Sequence, residues 1–317
     1  MTAPDISACS ARFAFQILRF FYSEGRRATT SKGRSCATKL PGHRQVVSAV
    51  SAIFLSEPGS ASAIMPSTAM GWLTLPRKPE PEVMGDADEV EAYASASAQA
   101  YLDSVDNTLV EQVLSEGPRN TPAVEGSPLS GWLLDIGAGP GGIPLKIVRR
   151  CRNLCAVGVD RSLNMVRAAR KCAAEQGLAG RAFFFVADAA RLCFPDAFFD
   201  FVLSNSLLHH LPSPVEAFNE MARVAKPSGV VLLRDLCRPS RLAFPLHVRW
   251  FGRYYSGLMR QLYFDSVGAA YTDRELAELL RRSALADARV FFHGRTHLGF
   301  IRRGESGEGR SPGGVKT

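Results

Sequence analysis

Three aspartates stand out, because each closes or directly follows a short apolar run: Asp135 in LLDIG, Asp160 in VGVDRS and Asp188 in VADAARL. Between the first two the chain reads GAGPGG (137–142), in which Gly137, Gly139 and Gly142 spell GxGxxG. A glycine turn of this kind brings bare backbone against a ligand that tolerates no side chains, and an acid at the end of the next strand can accept hydrogen bonds from hydroxyls. Two imidazoles follow in SNSLLHHL (204–211), at His209 and His210. Imidazole titrates near neutrality and suits proton transfer. Arg234 and Asp235 end a further apolar run, where they can pair with each other or meet a ligand.

These residues need elements to carry them. From residue 131 the pattern alternates: strands at 131–136, 155–159, 182–187, 199–204 and 229–235, with helices at 141–150, 162–176 and 214–226. The strands are continuously apolar (VGV, FFFV, FVL, VVLL), as expected where helices cover both faces of a parallel sheet. Residues 238–271 break the rhythm with an aromatic and basic stretch, read as a helical insertion whose Trp250, Phe251, Tyr254 and Tyr255 can roof a pocket. A helix follows at 272–283, opened by the capping box of Thr272 and Glu275. Strands 288–293 and 296–302 are joined only by Gly294-Arg295, which makes them an antiparallel hairpin. The expectation is a doubly wound, Rossmann-like α/β domain over 86–303, with a mostly parallel seven-stranded sheet, an antiparallel last strand and a helical insertion after strand 5. Within it, ahead of the first strand, apolar residues at helical spacing (Val90, Tyr93, Ala94, then Val105, Leu109, Val113) predict one or two helices between Asp86 and Glu116.

Charge narrows the partners. The net charge is +8, but residues 1–70 hold 8 Lys/Arg against 3 Asp/Glu, whereas 71–303 hold 28 against 25. A nucleic-acid binder concentrates positive charge on its folded part, so nucleic acid is disfavoured. The leader is expected to be disordered, as a transit peptide or as an over-extended start, since Met65 and Met70 can each begin the chain. The tail 304–317 is expected to be disordered too. No apolar run is long enough to span a bilayer. The expected location is the cytoplasm, or an organelle if the leader directs import. Seven scattered cysteines lack a repeated CxxC, so no metal site is expected.

GxGxxG with Asp160 fits either a nicotinamide dinucleotide or S-adenosylmethionine (SAM), because both carry an adenosine ribose. Three features favour SAM. Asp135 can accept from the ammonium group of SAM and would repel a pyrophosphate. Pro140 and Pro144 remove N–H groups from the helix start, where a pyrophosphate would need them. Asp188 is placed to accept from an adenine amine.

The motifs LLDIGAGPGG, VGVDRS, VADAARLCFPDAFFDFVLSNSLLHHL and KPSGVVLLRD resemble, in order, those of class I SAM-dependent methyltransferases. The likeness is greatest to the small-molecule branch of ubiquinone and menaquinone C-methyltransferases, and it extends over roughly 86–303. It implies that Asp135 and the turn Gly137, Ala138, Gly139 and Pro140 hold the methionine part of SAM. It assigns the ribose to Asp160, flanked by Arg161 and Met165, and the adenine to Asp188 and Ala189. Asn205 and Ser206 line the reacting methyl, and Tyr93 resembles a lid residue. His209 is the candidate catalytic group beside a small-molecule methyl acceptor. Two other readings stay open: a SAM-binding partner protein without catalysis, and an NAD(P)-dependent oxidoreductase.

Overall fold

The computed structural model describes residues 73–80, 96–116 and 129–304. The expectations for the leader, for Tyr93 and for the tail beyond Gly304 lie outside the described residues. The strands are β1 (Ser130–Ile136), β2 (Asn153–Asp160), β3 (Ala182–Val186), β4 (Phe199–Asn205), β5 (Ala225–Leu236), β6 (Arg289–His293) and β7 (His297–Arg303). The helices are α1 (Ala96–Ser115), α2 (Gly142–Arg150), α3 (Leu163–Glu175), α4 (Pro214–Val224), α5 (Phe244–Phe251), α6 (Gly257–Ala269) and α7 (Asp273–Arg281).

The strands form one sheet in the order β3-β2-β1-β4-β5-β7-β6. β7 runs antiparallel to both β5 and β6, and all other pairs are parallel. The expected doubly wound, seven-stranded sheet with a reversed last strand is what the chain forms. Alternating strand residues feed two cores, one on each face. Leu133, Phe201 and Leu232 pack with Val110 of α1, Ile147 of α2 and Ala169 of α3. Leu134, Val202 and Leu233 pack with Phe218 of α4 and Leu276 of α7. Because both faces are buried, the strands have no polar side to alternate with, which is why they read as unbroken apolar runs.

Local chemistry sets the junctions. Ser162 caps α3 by accepting from Met165 N–H at 3.4 Å. Thr272 and Glu275 form the expected capping box of α7, at 3.3 and 2.9 Å. The insertion folds as α5, a 3-10 turn (Gly252–Tyr254) and α6. An extended segment at the other end of the chain lies against it: Arg77 Nε donates to Ala269 O at 2.6 Å and Lys78 N to Gly268 O at 3.1 Å.

Candidate functional site

The carboxyl ends of β1, β2, β4 and β5, the loop after β3 and the inner side of α6 enclose a cavity of about 380 Å³. An open α/β sheet offers its ligand crevice at this edge, where the strand order reverses on either side of β1. Gly137 and Gly139 line it with left-handed backbone, φ +77° and +52°. A methyl group at Gly139 would meet no atom within 4 Å, so the bare backbone there faces open cavity. The third left-handed glycine of the loop is Gly141, the N-cap of α2, where a side chain would strike the Phe184 ring at 2.8 Å.

Asp160 stands at the end of β2 and already organises the loop. Its Oδ2 accepts from Gly139 N–H at 2.9 Å and its Oδ1 from Ser162 N–H at 2.8 Å. A carboxylate has about four acceptor positions, so these bonds leave capacity for a ligand. Burial raises the Asp160 pKa, and the backbone N–H groups partly offset that. Asp135, with 2% exposure, lies behind the loop rather than in the cavity wall. Burial pushes its pKa to about 8, and the charges of Asp106 and Asp160 add to the rise. Asp106, from α1, lines the cavity and is raised by burial as well, against the pull of Lys146 and Arg234. Asp106 and Asp160 in the wall, with Asp135 buried behind them and raised by both, make a pocket that favours a cation. The ammonium and sulfonium groups of SAM fit that donor set; a pyrophosphate does not.

Of the other expected cofactor residues, Arg161, Met165, Asp188, Ala189, Asn205 and Ser206 all line the cavity. Asp188 accepts from Ala190 N–H through Oδ1 at 2.9 Å. Ser206 holds φ +54°, a costly conformation for a residue with a Cβ, at the turn where the cavity bends toward the histidines. Ala138 and Pro140 do not face the cavity. Ala138 N–H, like that of Gly137, is spent on Val159 O, at 3.0 and 2.8 Å, so this part of the turn ties β1 to β2.

Both histidines line the cavity. They occupy a 3-10 turn (Leu208–His210), and their rings lie 4.1 Å apart, inclined at 40°. His209 is 3% exposed, and its Nδ1 meets Asp235 Oδ1 at 2.6 Å, while its backbone N–H donates to Asp235 Oδ2 at 2.9 Å. Asp235 thus fixes the ring so that Nε2 faces Glu80 Oε2, 3.8 Å away. Glu80 also meets His210 Nδ1 at 3.3 Å and accepts from Ser266 Oγ. Burial opposes charge on His209, but Asp235 and Glu80 outweigh it and its pKa is raised. His210, by contrast, is lowered to about 3 by burial and by His209. Among the described residues Glu80, His209 and His210 are also the one set with the spacing to hold a metal ion.

Arg234 and Asp235 do not pair. Consecutive strand residues point to opposite faces, and the two side chains part accordingly. Arg234, fully buried, donates to Asn205 Oδ1 at 2.8 Å and to Val105 O and Thr108 Oγ1 of α1 at 3.1 and 2.9 Å. The expected roof of four aromatics is corrected in part. Only Tyr255 reaches the cavity, whereas Met259, Leu262 and Tyr263 of α6 close it. Trp250 is 53% exposed and stacks under Arg253 at 4.0 Å.

A family model described as a methyltransferase domain matches residues 134–233. The demethylmenaquinone methyltransferase of Roseiflexus castenholzii is 32% identical over 213 residues, spanning 63% of this chain and 87% of that relative. The chain belongs to the class I SAM-dependent methyltransferases. A second relative of this methyltransferase is the ubiquinone/menaquinone biosynthesis C-methyltransferase UbiE of Desulfotalea psychrophila, 30% identical over 52% of the chain and 66% of the relative. The plantazolicin methyltransferase BamL agrees in fold, with a TM-score of 0.51 at 15% identity, covering 69% of this chain and 91% of that one. No helix among the described residues is long and apolar enough to cross a membrane.

Proposed function

We propose that this methyltransferase passes the methyl group of SAM to a small-molecule acceptor seated between the His209–His210 turn and α6, and that His209 takes the acceptor's proton. The observation that carries the reading is the continuity of the cavity. One end is walled by Asp106, Asp160 and Asp188, the other by His209 and by Tyr255, Met259, Leu262 and Tyr263. SAM supplies a methyl group already activated on a sulfonium, so the chain has to align the partners and exclude water. In this reading Asp135, Asp160 and Asp188 take the ammonium, ribose and adenine groups, with Gly137 and Gly139 giving close approach and Arg161, Met165, Ala189, Asn205 and Ser206 completing the wall.

Asp235 holds His209 in one orientation, with Nδ1 on Asp235 and Nε2 free of it. Neutral His209 can accept a proton there, and the positive charge it gains is stabilised by Asp235 and Glu80. His297 and Thr296, also in the wall, are tied to each other at 2.8 Å. The test is transfer of a labelled methyl group from SAM to a panel of phenolic and quinol-type acceptors. His209→Ala should lower turnover by about 10²–10⁴ while leaving SAM affinity within a factor of a few. Turnover unchanged in His209→Ala would remove the histidine from the mechanism, and label appearing in no small molecule would remove the acceptor class.

A further inference from the structure

The insertion that roofs the cavity carries a second, outward face. Leu242, Leu246 and Trp250 follow one another at four-residue spacing and are 70, 69 and 53% exposed. Tyr254, Leu258 and Phe264 continue the exposed apolar surface across the 3-10 turn and α6. Six of the nine large apolar side chains exposed among the described residues therefore fall within residues 242–264. Scattered singly they would need no explanation; gathered on one element they mark an interaction surface.

Charge selects the partner. Residues 237–264 contain five arginines and no Asp or Glu. Arg238 is spent inside the fold on Ala270 O and Glu275, but Arg241, Arg249, Arg253 and Arg260 are exposed beside the apolar stripe. The whole of 71–303 has an excess of only three positive charges, so the rest of the fold is net negative and the basic character is local. A short helix with Leu and Trp on its outer face, flanked by arginines and free of acids, suits the boundary between lipid headgroups and acyl chains. A second copy of this chain would set the four arginines against their like, and a nucleic acid would leave the leucines in water.

We infer that the outer face of residues 241–264 docks on a bilayer containing anionic lipid. Leu242, Leu246 and Trp250 enter the headgroup boundary, and the arginines lie against lipid phosphates. The inner side of the same insertion, through Tyr255, Met259 and Tyr263, closes the acceptor end of the cavity. Docking thus places the entrance for an acceptor at the membrane surface; that consequence rests on the methyl-transfer reading, whereas the docking does not.

The test is co-sedimentation of the full chain with vesicles of phosphatidylcholine, with and without about one third phosphatidylglycerol. Binding is expected to the anionic vesicles only and to weaken with salt. Leu246→Asp/Trp250→Asp should lower it by at least tenfold, and each of Arg249→Glu and Arg253→Glu by about fivefold or more, with melting temperature and S-adenosylhomocysteine (SAH) affinity unchanged. On the unaltered chain, anionic vesicles should shift tryptophan emission to the blue, and Trp250→Phe should remove the shift. Binding that persists in the double variant would overturn the proposal, because another part of the chain would then be responsible. It would equally fall if the chain bound neither vesicle, or if the face proved to join two copies, seen as a dimer that the double variant makes monomeric. Loss of SAH binding in the unaltered chain would count against the methyl-transfer reading and leave the docking result standing.

Discussion

Replacing Asp135 by Asn should stabilise the ligand-free protein and weaken its hold on SAM. The side chain is 2% exposed, with its pKa raised from 3.8 to about 8 by burial and by neighbouring acids. The folded, ligand-free chain therefore keeps a proton that the unfolded chain releases, and stability falls as the pH rises from about 4 to 8. At about 1.4 kcal/mol per unit, the cost at pH 7 is at most about 4 kcal/mol. Asn is neutral at every pH and avoids it, so Asp135→Asn should raise the melting temperature by about 3–10 °C near pH 7.5. The gap to the parent should shrink toward pH 5. SAM affinity should move the other way, because a charge-assisted hydrogen bond is worth about 1.5–3 kcal/mol, or roughly ten- to two-hundredfold in affinity. Thermal melts across pH 5–8 and calorimetric titration of both proteins read the two effects. A variant less stable than its parent at pH 7.5, or a gap independent of pH, would refute the account of Asp135 as a buried acid awaiting a cation.

Asp160→Ala should weaken SAM binding by about tenfold to several hundredfold. It should also lower the ligand-free melting temperature by a few degrees, since Gly139 and Ser162 lose their acceptor. Gly139→Ala and Gly177→Ala place the same methyl group on left-handed backbone with no atom within 4 Å, so each should cost about 1–2 kcal/mol of stability. Only the first fills the cavity, and only it should reduce SAM affinity. The His209 imidazole, followed by NMR, should titrate above 6.5, because Asp235 and Glu80 outweigh its burial. Glu80→Gln should lower that value, and a value unmoved would detach Glu80 from the histidine.

How far the sequence reaches can be judged residue by residue. The positions of Asp160 and Asp188 were legible because local order fixes them: an apolar run ends, the sheet edge is reached, and the acid lines the crevice; Asp135, one position before the end of β1, is instead buried behind the loop. The capping box of Thr272 and Glu275 was legible for the same reason. Asp106 was not, since nothing in α1 separates an acid turned to the cavity from one turned to water until β1 and α2 are packed against it. Glu80 lies on an extended segment without periodicity, fifty residues before β1, and only tertiary contact brings it to His209. The contact of Asp235 with His209 was not legible either, because Arg234 and Asp235 are adjacent in sequence but turn to opposite faces of β5, and only tertiary packing brings Asp235 to the imidazole. The roof was misjudged because aromatic content drew attention to Trp250 and Tyr254, whereas α6 turns Met259, Leu262 and Tyr263 inward.

Calorimetric titration of the full chain with SAH, and separately with NAD and NADP, tests the central claim most directly. One SAH should bind per chain at micromolar strength, with binding weakened in Asp135→Asn and Asp160→Ala and no heat from either dinucleotide. Tight binding of NAD or NADP without binding of SAH would contradict the account.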